Sequence, residues 1–270
     1  MDQPKSVWLN ELTWQEVAQY LKNRKTVIVP LGSTEQHGPA GPLGLDTYVA
    51  IALAEDAARE AGCLVTPPLW FGDAVHHLAF PGTVSLKTTT LIEVIKDICT
   101  SLARHGFTRQ VIVNGHKMTN LAALQAAVRW LREHDLRHAI IAIADPMYLA
   151  RGIAGPIKEA PEHHAGELEI SHVWHKFPHL IRAEHLTTEN VDLKELVSPF
   201  ALTDLFGPAG DTVDIPWNSY EQAVLAPTGS FSASAKASAE KGRQYHEYMV
   251  QNLVRLVKWL EAYSGPLGAS

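Results

Sequence analysis

Four short, continuous apolar runs alternate with helix-like segments between residues 26 and 144, and this alternation constrains the fold more than anything else in the chain. The runs are Thr26–Leu31 (TVIVPL), Leu64–Pro67 (LVTP), Gln110–Val113 (QVIV) and His138–Ala144 (HAIIAIA). Strands that are apolar on both faces belong in a parallel sheet with helices on both sides, because there neither face meets water. Between them, Thr88–His105 repeats Leu91, Val94, Ile95, Ile98 and Leu102 at spacings of three and four and stops at Gly106. Tyr48–Ala61 and Leu121–His134 are rich in alanine, a strong helix former. Leu12–Asn23 starts with Thr13 and Glu16, a capping box. The expectation is one α/β domain over residues 1–270, a mostly parallel sheet flanked by helices.

Beyond this region the pattern is less regular. Pro146–His163 reads as a Gly/Pro-rich loop, Ala165–Trp174 as a helix, and Phe177–Asp214 as loops with short elements. Asn218–Phe231 reads as a last strand and loop, and Ala233–Leu260 as a long helix. That helix would bury Tyr245, Tyr248, Met249, Leu253, Leu256, Val257 and Leu260 along one stripe. Apolar residues make up 46% of the chain and charged ones 19%, a balance that suits a folded globular protein rather than a disordered one.

A net charge of −6 and the lack of any basic run disfavour nucleic acid or an acidic membrane surface as the main partner. No stretch approaches the roughly 20 apolar residues of a membrane span, and the opening MDQPKSVWLNELTW has no apolar signal core. Cys63 and Cys99 read as buried thiols, not as a disulfide framework. A cytoplasmic protein with a small-molecule partner is expected.

The candidate chemistry lies in polar loops that follow the strands, where an open α/β sheet builds its ligand site. Gly32–Asp46 (GSTEQHGPAGPLGLD) carries Glu35, His37 and Asp46 in a Gly/Pro-rich frame. Asn114–Asn120 (NGHKMTN) offers His116, and Glu167 falls near the start of the Ala165–Trp174 helix. Carboxylates and imidazoles without thiolate suit one or two divalent ions, zinc or manganese, with an aspartate able to bridge ions roughly 3.5 Å apart. Such a centre lowers the pKa of a bound water toward about 7 and polarises a carbonyl. Ser33 and Ser230 lack the G-x-S-x-G elbow of a serine hydrolase. His163, His172 and His175 read as surface or hydrogen-bonded helix positions.

Five ordered blocks carry a resemblance: GSTEQHGPAGPLGLD, FPGT at Phe80–Thr83, NGH at Asn114–His116, HAGELE at His164–Glu169, and ASAEKG at Ala237–Gly242. Together they resemble the creatininase (creatinine amidohydrolase) family. The resemblance implies an α/β fold with a binuclear metal centre at the C-terminal ends of a parallel sheet, often in a homo-hexamer. It implies that Glu35 and His116 hold one ion, His37 and Glu167 the other, and that Asp46 bridges them. Zinc or manganese is expected, with iron as a further option. His164 would serve as acid and base, and Glu169 would orient it or a ligand. His77, Lys117 and Thr119 would face the substrate.

Two departures bear on the substrate. Creatininase has its second-metal glutamate two residues after the NGH histidine, where this chain has Met118, and Glu167 is the expected substitute. Pro146–His163 lacks the tryptophans that close over creatinine, which disfavours creatinine itself. The expected activity is metal-dependent opening of a small cyclic substrate, first at a cyclic amide C–N bond. The alternatives are C–C hydrolysis of a cyclic diketone derived from inositol, and a non-catalytic metal- or ligand-binding protein.

Overall fold

The computed structural model describes residues 5–207, 212–213 and 215–268. Its elements follow in order α1 (Trp14–Leu21), β1 (Thr26–Leu31), α2 (Leu45–Ala61), β2 (Leu64–Val65), α3 (Thr88–Arg104), β3 (Arg109–Asn114), α4 (Thr119–His134) and β4 (Ile140–Ala144). Then come α5 (Pro146–Leu149), α6 (Arg151–Ile157), α7 (Glu167–Lys176), α8 (Leu193–Leu196), α9 (Ser219–Leu225) and α10 (Ala239–Ala262). The strands pair parallel in the order β2-β1-β3-β4. From β1 the chain turns to one side to form β2 and then crosses to form β3 on the other. The C-terminal ends of β1 and β3 therefore flank the switch point, where a ligand crevice opens in such sheets.

Side-chain alternation along the strands divides the interior into two cores. Ile28, Val111 and Val113 point to one face and pack with α2, α7 and α10 around Leu53, Ile170, Met249 and Leu253. Val29, Leu31 and Ile112 point to the other and meet Leu91, Ile95, Leu124 and Leu131 of α3 and α4. Each such buried Leu, Ile or Val contributes about 1.5–3 kcal/mol by leaving water. Cys63 and Cys99 are buried free thiols within these cores.

The expected capping box forms at α1, with Thr13 accepting the Glu16 amide and Glu16 accepting the Thr13 amide. Three elements differ from expectation. α2 begins at Leu45, so Asp46 sits in the first turn of the helix, where the exposed amide dipoles favour a carboxylate. Pro146–Ile157 is not a plain loop: Asp145 accepts the Met147 amide, Pro146 takes a first-turn position, and α5 and α6 follow. No strand forms across Asn218–Phe231, where Asn218 and Glu221 build a second capping box and start α9. Phe177–Asp214 holds only 3-10 turns and α8 among its described residues, with 208–211 and 214 outside them.

Candidate metal centre

The loop after β1 and the loop after β3 converge on the first turn of α2. That approach requires glycine at Gly115, since a Cβ there would lie 1.9 Å from the Asp46 carbonyl oxygen. Gly32 is under the same constraint, with Thr47 backbone atoms 2.3–2.4 Å from where its Cβ would be. Through these contacts Glu35, His37, Asp46 and His116 come together, all buried.

Asp46 stands between two imidazoles, its Oδ1 3.2 Å from His37 Nε2 and its Oδ2 3.0 Å from His116 Nδ1. Glu35 Oε1 lies 3.3 Å from His116 Nδ1, 3.2 Å from His77 Nε2 and 3.8 Å from His164 Nδ1. The backbone sets what each ring presents. His116 Nε2 donates to the Asp73 carbonyl at 3.0 Å, and His37 Nδ1 donates to the Glu35 carbonyl at 3.1 Å. In the neutral ring the other nitrogen then carries a lone pair aimed at carboxylate oxygens. Acceptor faces acceptor, and a cation relieves that arrangement. Both Glu35 oxygens and Asp46 Oδ2 are buried without a hydrogen-bond donor, as expected of groups shaped for a metal ion.

Electrostatics point the same way. Burial disfavours charge on Glu35, yet His116 and His77 together hold its carboxyl well below the usual range. Burial also works against protonation of His37, but Asp46, with Glu35 and Glu169, outweighs it and raises the ring to about 9. His116 likewise rises well above its ordinary value against its burial, through Glu35 and Asp46. Without a metal the two rings hold protons as counter-charges, and an ion takes over that role by displacing them. Two sets of donor atoms each lie within 4.8 Å of one another: Glu35, Asp46 and His116, and Glu35, His37 and His164.

His164 Nε2 lies 2.7 Å from the Gln36 carbonyl and 2.9 Å from the Gln36 side-chain amide nitrogen; the shorter contact to the carbonyl needs Nε2–H, which leaves the Nδ1 lone pair on the side of Glu35. Burial and the neighbouring His77 and His37 keep this ring well below its ordinary pKa, so it is neutral at pH 7. His77 does not offer a lone pair to the centre. Its Nδ1 meets the amide nitrogens of Gln222 at 2.6 Å and Gln36 at 2.9 Å, which leaves Nε2 on the side of Glu35 but outside hydrogen-bond geometry. Gln222 lies on α9, far along the chain, and no local pattern signals it. Gln36 was in plain view between Glu35 and His37.

Three further expected site residues have other partners in the structure. Glu167 is set apart from the cluster: its Oε2 accepts the amides of Glu159 at 2.9 Å and Ala160 at 3.2 Å, and its Oε1 pairs with Lys241. As the first residue of α7 it turns toward the loop before the helix and toward α10. The Lys117 side chain is 6% exposed and its Nζ pairs with Glu169 Oε1 at 2.8 Å. Thr119 is half-buried at the start of α4, where its amide donates to the Lys117 carbonyl at 2.7 Å. The second oxygen of Glu169 accepts the Ala165 amide at 2.8 Å. Nearby, Glu162 accepts the amides of Leu168 and Glu169 and so caps α7 from a distance. Burial pushes its carboxyl up to about 8.

A parallel sheet with this donor set at its switch point defines a metal-dependent hydrolase. The family described as Creatininase, creatinine amidohydrolase, matches residues 10–257, and the chain belongs to the creatininase family. It is 28% identical over 280 residues to a 3-dehydro-scyllo-inosose hydrolase from Thermotoga maritima, covering 96% of this chain and 85% of that protein. It is 29% identical to a mycofactocin precursor peptide peptidase from Mycobacterium ulcerans, covering 96% and 95%. The crystal structure of a creatinine amidohydrolase superposes with a TM-score of 0.75 at 26% identity, covering 97% of this chain and all of that one.

Proposed function

We propose that the chain hydrolyses a cyclic amide, opening a small ring at its C–N bond. The observation that carries this reading is the convergence of His116 and His37 ring nitrogens on the buried carboxylates of Glu35 and Asp46, whose oxygens Glu35 Oε1 and Oε2 and Asp46 Oδ2 lack hydrogen-bond partners. Glu35, Asp46 and His116 would hold one divalent ion, and His37 with Asp46 would help to hold a second. Zinc or manganese suits these nitrogen and oxygen donors, with iron a further option. When bound, the ions supply Lewis acidity at a carbonyl oxygen and lower the pKa of a water.

The protein's own groups move the proton. Neutral His164 accepts a proton through Nδ1 from the attacking water and delivers it to the leaving nitrogen as the C–N bond breaks. Its Nε2–H bond to the Gln36 carbonyl keeps the ring oriented through both transfers. His77, held by Gln222 and Gln36, keeps its Nε2 3.2 Å from Glu35 Oε1 at the edge of the centre. Glu169 holds the Ala165 turn that presents His164.

A second reading, C–C cleavage of a cyclic diketone derived from inositol, is favoured by the inosose hydrolase relative, which matches over nearly the whole chain. Both reactions add water to a carbonyl carbon and protonate the leaving atom, so the same residues serve either. We also propose that the chain works in the cytoplasm as a homo-oligomer, with a hexamer expected. Exposed Val75 and Leu78 beside Tyr220 and Val224 of α9 form an apolar face suited to such contact. Among the described residues no helix is long and apolar enough to cross a membrane.

The test supplies the metal-loaded protein with a cyclic amide and, separately, an oxidised inositol, and follows ring opening by mass spectrometry. Turnover of the amide supports the first reading and of the diketone the second; turnover of neither overturns both. Glu35→Gln and His116→Ala are expected to lower turnover by at least about 100-fold with the fold retained by circular dichroism.

A further inference from the structure

Three of the strand-end loops meet at one side-chain amide that is not among the candidate metal donors. Asn120, in the first turn of α4, is fully buried. Its Nδ2 donates to the Gly32 carbonyl, just after β1, at 3.2 Å and to Asn114 Oδ1, at the end of β3, at 3.1 Å. Its Oδ1 accepts the amide of Asp73, in the loop that follows β2, at 2.9 Å. Both N–H bonds and the oxygen of the side chain are thereby used. The loop after β2 makes room for it: a Cβ on Gly72 would lie 2.6 Å from the Gly32 carbonyl oxygen and 2.7–2.8 Å from the Asn120 amide atoms.

Two of the residues that Asn120 holds go on to hold His116. Asp73, fixed through its amide, offers the carbonyl to which His116 Nε2 donates at 3.0 Å. Asn114, fixed through its Oδ1, donates from Nδ2 to the His116 carbonyl at 2.7 Å. Asn120 therefore stands behind both the ring and the backbone of His116. Gly32, its third partner, opens the loop that carries Glu35 and His37.

We propose that Asn120 is a positioning residue for the metal centre, acting through Asp73 and Asn114 to aim His116 Nδ1 at Glu35 and Asp46. This rests on the metal-centre reading of the site. The role requires an amide, not merely a polar group of that size. An ionised aspartate would still accept the Asp73 amide, but its other oxygen would face two acceptors, the Gly32 carbonyl and Asn114 Oδ1.

Metal-free full-length protein is titrated with Co²⁺, followed by calorimetry and by the visible absorption of the bound ion, alongside thermal melts. Asn120→Asp is expected to bind Co²⁺ about 10- to 100-fold more weakly than the wild type, with an altered absorption spectrum. Gln110→Leu is the control. Gln110 is buried near the opposite end of β3, where its Nε2 donates to the Cys99 and Phe107 carbonyls. Its loss is expected to lower the melting temperature and leave Co²⁺ affinity and spectrum as in the wild type. A folded Asn120→Asp protein that binds Co²⁺ as the wild type does overturns the proposal, as does a Gln110→Leu protein that loses affinity to the same degree. Should Asn120→Asp fail to fold, Gly72→Ala decides, because its methyl group displaces the Asn120 amide. That variant is expected to bind Co²⁺ at least about tenfold more weakly, and unchanged binding overturns the proposal. A wild type that binds no Co²⁺ overturns the metal-centre reading and the proposal with it, whereas wild-type binding that the variants leave unchanged overturns the proposal alone.

Discussion

A histidine that donates one ring nitrogen to a backbone carbonyl has its other nitrogen assigned for it. His37 and His116 are tied in this way to the carbonyls of Glu35 and Asp73, and their remaining nitrogens meet at Asp46. The identity of these residues could be read from the loops that follow β1 and β3. The tautomer could not, because the Asp73 carbonyl arrives from another loop. Met118 shows a different single-residue constraint. Its left-handed backbone costs about 1–3 kcal/mol, and its half-exposed side chain returns little of that. Met118→Gly is expected to raise the melting temperature by roughly 2–4 °C for about 1 kcal/mol of strain relieved. Met118→Ala keeps the Cβ and should not do so. A thermal melt of both variants checks this, and a Gly variant that melts at or below the wild type contradicts the strain.

Among elements, α2, α7 and α10 carry the weight on one face of the sheet, and a polar chain joins all three. Asp56 of α2 accepts from His246 Nε2 of α10 at 2.8 Å, and His246 Nδ1 meets His172 Nε2 of α7 at 2.8 Å. Lys176 of α7 also pairs with Asp56, at 2.6 Å. His172, expected only as a surface or hydrogen-bonded helix position, and His246 link the helices that hold Asp46 and Glu169. The hydrogen bond from His246 and the pairing with Lys176 draw the Asp56 carboxyl down from 3.8 to about 2. A lowered carboxyl stabilises the fold above its unfolded pKa, and that stability is lost as pH falls through the folded value. The contribution is therefore complete above about pH 4 and fades toward pH 2. Asp56→Asn is expected to lower stability at neutral pH, by no more than about 1 kcal/mol because solvent screens this partly exposed pair. It should also flatten the acid limb between those pH values. Urea melts across that range test it, and an unchanged acid limb would argue against the clamp.

At the scale of the whole molecule, the centre draws together the ends of β1 and β3 and the start of α2, with α7 beside them. An ion bound there holds pieces from distant parts of the chain, so binding is coupled to folding. With free metal at about 100 times its dissociation constant, the folded state gains about 2.7 kcal/mol. For a chain of this size that corresponds to roughly 5–10 °C in melting temperature. Scanning calorimetry with and without a chelator measures the difference, and coincident melts would count against a structural role for the ion.

The fold class could be read directly from the chain, because apolar runs covered on both faces and helical spacing are short-range patterns that act through local geometry. The candidate donors Glu35, His37, Asp46 and His116 were visible for a related reason, since each lies within a loop or first turn that its strand delivers. What could not be read were contacts made between elements far apart in sequence. α9 reads as a strand until its capping box is seen to form, and its Gln222 reaches His77 only because it docks beside the Val75–His77 turn. Glu167 and Glu169 sit two residues apart on one helix, yet one turns to Lys241 of α10 and the other to Lys117 after β3. Local spacing places a carboxylate near a helix start; which cation it meets is decided only by the helices and loops that the tertiary structure packs around it.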